Sequence, residues 1–371
     1  LQSIFSTAGT INRFYTFDFF GVFMHASSSF GRPHKLHRKT WNKLALLAAA
    51  FFVAAGPALA ADKTSLPKLT LDKNITLSGL SSGGYMAAQF HLAYSSEVQG
   101  AAIVAAGPVY CAANSLQTAF AHCLNQSSST PDLTAASAYL TAQQQQGGID
   151  ALENLADDKV WLFHGTKDST VAESVSDALA AQYQSLLAKN NLVYVKDKAF
   201  AHHFPTDHQH GTDCADSKTP FIGSCGYDAA GAMLNHLLPD LKARAAKTSG
   251  QLMELNQQAL APKAKDQLGK TGYLYVPQSC SQGQPCRLHV SFHGCKQYGG
   301  AVGDVYARLT GLNEYADSNQ LVVFYPQADK SVMNPNGCWD WWGYSGEHYA
   351  TKNGAQMQAV KQLIEVLQGR R

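Results

Sequence analysis

ITLSGLSSGG, at residues 75–84, couples a short apolar run to the pentad Gly79-Leu80-Ser81-Ser82-Gly83 and so spells G-x-S-x-G. Residues 85–94 (YMAAQFHLAY) can open a helix directly behind it. A serine on a sharp strand-to-helix turn is pushed out of the backbone envelope, and the helix N-terminus behind it favours developing negative charge. Small flanking residues suit a turn whose main chain passes close to its neighbours. The same letters also fit a plain Gly/Ser turn. A catalytic role for Ser81 therefore requires partners elsewhere in the chain.

Downstream, residues 101–106 (AAIVAA) and 160–164 (VWLFH) read as strands, with a polar insertion, helical by composition, over 114–148 between them. The second strand ends in Gly165-Thr166-Lys167-Asp168, a loop that carries a carboxylate. A helix over 171–189, a strand over 192–195 (LVYV) and a loop over 199–206 (AFAHHFPT) follow. Strands alternating with helices predict an α/β fold with a largely parallel sheet. Ser81, Asp168 and His202 occur in the chain order of an α/β-hydrolase triad. Serine is a poor nucleophile at neutral pH and needs an imidazole to take its proton; the imidazole needs a carboxylate to set its tautomer. Ser81 is thus the expected nucleophile, Asp168 the orienting acid and His202 the base, with His203 as the alternative base. Asp168 would equally suit an N-cap near Val171. His208 and His210 form H-x-H without a third clustered ligand, and Asp213 and Asp216 read as loop carboxylates, so no metal or cofactor is expected.

A polar segment over 245–268 links two halves. Beyond it lie strands over 273–276, 288–292 and 321–325 and a closing helix over 354–367, and the 288–292 strand runs into His293-Gly294-Cys295. In an ordinary α/β-hydrolase a strand followed by His-Gly precedes the nucleophile, and its loop donates an oxyanion-hole N–H. Here it comes far downstream. Either a second domain starts near 270, or the late strands complete the same sheet. The first half has a triad without an oxyanion strand and the later half the strand without G-x-S-x-G, which favours the second reading: a circularly permuted α/β-hydrolase fold, a mostly parallel central sheet with flanking helices, in one catalytic domain over 61–371 with halves at about 61–244 and 269–371. The oxyanion donors would be the backbone N–H groups of Ser82 and Cys295. Residues 334–344 (NPNGCWDWWGY) hold three of the five tryptophans, which fit a core patch or, by their turn-rich flanks, a loop of exposed aromatics along an apolar cleft.

The first sixty residues stand apart. Residues 34–43 (HKLHRKTWNK) are basic, 44–55 form an apolar run of 12, and an A-x-A site closes at Ala60. That is the pattern of a secretory signal peptide, too short for a confident membrane span. Met24 lies inside this leader, so residues 1–23 read as upstream translation. A net charge of +2 with 15% charged residues gives no electrostatic case for nucleic acid. All eight cysteines lie beyond the leader, and an even count in a secreted chain favours disulfides. Sequence does not determine the pairing. Cys111 with Cys123, Cys214 with Cys225 and Cys280 with Cys286 would close small loops, which leaves Cys295 for Cys338.

Together, GLSSGGYMA (79–87), HGTKD (164–168), HHFPTD (202–207), SFHGC (291–295) and GCWDWWGY (337–344) resemble the secreted, single-domain, circularly permuted poly(3-hydroxybutyrate) depolymerases. The resemblance spans 70–366. It implies a Ser/His/Asp esterase that cleaves a short-side-chain polyester or its oligomers; a secreted monomer without a stable membrane anchor is expected. It implies Ser81, Asp168 and His202 as catalytic residues, Ser82 and Cys295 as oxyanion donors, and Trp339 or Trp341 as the substrate contact. Feruloyl or acetyl esters of polysaccharide are the alternative substrates, and a catalytically silent polymer-binding module is the alternative outside enzymes.

Overall fold

In the computed structural model, which describes residues 66–124 and 130–370, the run before Ser81 lies in the middle of an eight-stranded sheet. The leader expected over 1–60 lies outside the described residues. Strand β1 (Thr70–Leu80) is buried throughout its last six residues, as a strand covered on both faces must be. There follow β2 (Val98–Val104), β3 (Lys159–Gly165), β4 (Leu192–Lys198), β5 (Gln251–Asn256), β6 (Thr271–Val276), β7 (Pro285–Phe292) and β8 (Leu321–Tyr325). Their spatial order is β4-β3-β2-β1-β7-β8-β6-β5, and only the pairings of β6 with β8 and with β5 are antiparallel. Counted cyclically from β5, this order becomes 1-2-4-3-5-6-7-8. The His293 loop then follows the third strand, where α/β-hydrolases keep an oxyanion donor. The two halves meet at the β1–β7 pair, with Leu77 opposite Val290 and Gly79 opposite Phe292.

Successive strand residues face opposite sides of the sheet. Leu77, Ile103 and Val290 therefore enter one apolar layer, while Leu80, Val104 and Trp161 enter the other. The helices of seven residues or more are α1 (Ser82–Ala93), α2 (Leu116–His122), α3 (Leu133–Gln145), α4 (Glu173–Gln184), α5 (Ala229–Leu237), α6 (Leu312–Ser318) and α7 (Ala355–Leu367). α1 is buried at every residue and shares the first layer with α7, whereas α5 and α6 cover the second. α2 and α3 lie in the polar insertion. The segment over 245–268 is more than a connector: it supplies the edge strand β5 and a short helix, Gln257–Leu260. Its polar composition hid the strand, because an edge strand keeps one face in water and here buries only Leu255 fully. Four disulfides join Cys111 to Cys123, Cys214 to Cys225, Cys280 to Cys286 and Cys295 to Cys338.

The glycines around Ser81 are set by space. A Cβ on Gly79 would lie 2.0 Å from the Gly83 oxygen, and one on Gly83 would lie 2.2 Å from the Phe292 oxygen and 2.4 Å from that of His293. These obstacles are backbone atoms, so no side-chain rotation relieves them. Gly83→Ala should push the start of α1 away from the end of β7 and destabilise the fold by about 1–3 kcal/mol or more. A thermal midpoint within a degree of the parent would refute the close approach.

Candidate active site

Ser81 leaves β1 with φ 56° and ψ −122°, a region that non-glycine residues enter only when their surroundings hold them there. Its N–H donates to the Val104 carbonyl at 2.9 Å, and its C=O accepts the Tyr85 N–H at 3.0 Å. Held from both sides, the backbone turns while the hydroxyl makes no capping bond to the helix. This is the geometry of a nucleophile elbow.

The loop after β4 brings His202 to Asp168, with Nδ1 2.7 Å from Oδ2. The other Asp168 oxygen accepts the N–H groups of Thr170 and Val171 at 2.8 and 2.9 Å. One carboxylate thus closes its own turn and orients an imidazole. Burial alone would raise the Asp168 carboxyl, but the adjacent His202, by charge and by hydrogen bond, and the two N–H groups outweigh it and hold the group below its ordinary value. The His202 main-chain N–H donates to Ser217 Oγ at 2.9 Å, which anchors the loop. His203, the alternative base, is directed elsewhere: its Nε2 lies 2.8 Å from the Cys214 carbonyl oxygen. It sits beside the sulfurs of Cys214 and Cys225, the one cluster of metal-ligand type among the described residues, but these are bonded to each other. His208 lies 3.6 Å from Glu314.

Ser81 and His202 line a cavity of about 550 Å³ together with Gly294 and Cys295 from the far half of the chain. A Cβ on Gly294 would stand 3.5 Å from Ser81 Cβ, so the late loop packs directly against the serine. The loop's N–H groups are differently occupied. That of Gly294 donates to Gln297 Oε1 at 2.7 Å and that of Lys296 to the Asn336 carbonyl at 2.7 Å, while those of Ser82 and Cys295 have no acceptor among the described residues. His293 is fully buried. Its Nε2 accepts the Ala328 N–H at 3.2 Å, so Nδ1 carries the proton and donates to the Gly294 carbonyl at 2.7 Å. Burial brings its pKa down to about 4, which keeps this tautomer neutral.

The tryptophan expectation needs one correction. Trp339 is wholly buried, edge-on to Phe292 at 5.1 Å between ring centroids, and lies outside the cavity lining. Trp341 and Trp342 line the cavity, with Trp341 stacked on Tyr85 at 4.5 Å. The difference comes from Asp340. Its buried carboxylate accepts the N–H groups of Trp342, Gly343, Tyr344 and Ser345, together with Ser345 Oγ, and so rolls the loop around itself. Tyr85 and Gln297 line the cavity as well, although the sequence singles out neither as a lining residue. Tyr85 lies within the motif behind Ser81, but Gln297 gives no local signal.

No family model matches the chain. A poly(3-hydroxybutyrate) depolymerase of Delftia acidovorans is 44% identical over 307 residues, which cover 81% of this chain and 61% of the relative. The match therefore spans less than two thirds of that relative's length. A polyhydroxybutyrate depolymerase of Talaromyces funiculosus is 38% identical over 341 residues, covering 86% of this chain and 98% of the relative. Among solved structures, a serine-to-alanine form of a PHB depolymerase complexed with an R3HB trimer superposes with a TM-score of 0.77 at 35% identity, over 83% of this chain and all of the other. The crystal structure of PHB depolymerase from Penicillium funiculosum gives a TM-score of 0.76 at 36% identity with the same coverage of 83% of this chain and all of the other.

Proposed function

This chain belongs to the poly(3-hydroxybutyrate) depolymerase family of carboxylic ester hydrolases, and on that premise we propose that it cleaves poly(3-hydroxybutyrate) and its oligomers through an acyl-enzyme on Ser81. The observation that carries the proposal is the convergence of Ser81, the Asp168–His202 pair and the Gly294-Cys295 loop on one cavity. Asp168 accepts a hydrogen bond from the Nδ1–H of His202, which leaves Nε2 to accept the proton of Ser81 as Oγ attacks the ester carbonyl. The negative charge of the tetrahedral intermediate falls to the N–H groups of Ser82 and Cys295, aided by the N-terminus of α1. His202 then hands its proton to the departing alkoxide oxygen of the next monomer unit, which leaves as a hydroxyl. Water repeats the sequence on the acyl-enzyme and frees the 3-hydroxyacid end. Trp341, Trp342 and Tyr85 form the apolar wall for the polyester backbone.

One catalytic domain over 61–371 would do this, its halves permuted about the β1–β7 seam. Secretion is supported by the leader pattern over 1–60 and by the four disulfides. No helix among the described residues is long and apolar enough to cross a membrane. The assignment is tested by product release from poly(3-hydroxybutyrate) film, from (R)-3-hydroxybutyrate trimer and from feruloylated xylan in parallel. Hydroxybutyrate should appear from the first two. Ferulate release with neither of the others hydrolysed would overturn the substrate.

A further inference from the structure

We propose that Gln297 is a positioning residue that sets the Cys295 N–H for catalysis by tying the oxyanion loop to the histidine loop. The inference rests on reading Cys295 as an oxyanion donor. Gln297 is fully buried at the cavity wall, and all its side-chain polar atoms are used. Oε1 accepts the Gly294 N–H at 2.7 Å, and Nε2 donates to the carbonyls of Pro220 at 2.7 Å and Phe221 at 3.1 Å. Its main-chain N–H donates back to the Gly294 carbonyl at 3.2 Å, which closes a tight ring around Gly294.

Two consequences follow from this geometry. First, Gln297 consumes the N–H next to the proposed donor, and this fixes the peptide planes on both sides of Gly294. Glycine has the freest backbone of any residue, so without that bond the loop could swing its N–H groups away from Ser81. Second, the Phe221 carbonyl that accepts from Gln297 also accepts the Phe204 N–H at 2.9 Å, two residues beyond His202. A continuous path of hydrogen bonds therefore runs from Gly294 through Gln297 and Phe221 to the segment that carries the base. The oxyanion donor and the base come from opposite halves of the chain, and this amide side chain joins their loops. A neutral amide cannot take the proton from serine, so Gln297 acts by placement. A misplacement of about 1 Å can cost on the order of 100-fold in rate.

The test compares Gln297→Ala and the equally long Gln297→Met with Gln182→Ala. Gln182 is another buried amide that holds a main-chain N–H and C=O, those of Val109, but it lies outside the cavity. On a soluble butyrate ester, both Gln297 variants should lose kcat by roughly 10- to 100-fold with KM within about twofold. Affinity for a trifluoromethyl ketone, which presents an oxyanion once Ser81 adds to it, should fall by the same factor. Gln182→Ala should show only a lower thermal midpoint. Equal kcat losses in all three variants, a raised KM at constant kcat, or failure of both Gln297 variants to fold would each overturn the proposal. Fluorophosphonate labelling of Ser81 in the parent protein separates the two readings, because its absence would remove the nucleophile assignment itself and not Gln297 alone.

Discussion

Replacing Ser81 with alanine is expected to lower kcat/KM for soluble hydroxybutyrate oligomers by roughly 10⁴- to 10⁶-fold, the range seen when a triad nucleophile is removed. The residue carries this effect through its hydroxyl alone. Its N–H bond to Val104 and its C=O bond from Tyr85 belong to the main chain and survive the change, and its side chain makes no bond to the helix. Alanine must adopt the same positive φ as serine, so the strain at the turn is also retained. The thermal midpoint should therefore stay within a degree or two while turnover and fluorophosphonate labelling vanish. Turnover above about one per cent of the parent would remove Ser81 as the nucleophile, since an oxyanion hole without one supplies only the 10³- to 10⁴-fold advantage over water.

The elements legible in the sequence are those written in contiguous residues. The elbow shows because a strand, a serine between glycines and a helix follow one another directly, and each glycine has a neighbour its own Cβ would strike. The late His293-Gly294-Cys295 loop shows because it ends an apolar run; its odd position in the chain fits either a second domain or two halves closing on one sheet, and the strand order is that of one sheet. What stays hidden depends on long-range partners. Trp339 and Trp341 are indistinguishable by composition. Which of them reaches the cavity is decided by how the Asp340 carboxylate gathers the N–H groups after it. Gln297 is invisible for the same reason: Pro220 and Phe221 lie 77 and 76 positions away. His202 and His203 differ only in direction, and a dipeptide does not encode which ring meets Asp168.

Asp168 offers the sharpest separation of a structural role from a catalytic one, because its two oxygens serve different masters. Asparagine at this position can keep its carbonyl on the N–H groups of Thr170 and Val171, as a capping residue would. Its NH₂ then faces His202 Nδ1 and must donate to it, which moves the ring proton to Nε2. That nitrogen can no longer accept the proton of Ser81. Asp168→Asn should therefore reduce kcat by about 10⁴-fold with KM nearly unchanged, as expected for a wrong tautomer in an intact site. If Asp168 only closed its turn, activity would survive the substitution. Stability adds an independent reading. The Asp168 carboxyl is held below its ordinary value in the fold, so its stabilising contribution is fully present above the unfolded value of about 3.9 and is lost as pH falls through the lowered folded value. Asparagine does not titrate. The deficit in thermal midpoint of Asp168→Asn should thus be largest near neutral pH and shrink in acid, below the ordinary carboxylate range. A deficit that is constant from pH 7 to about pH 3 would mean that the Asp168–His202 pair does not stabilise the fold as an ionised contact.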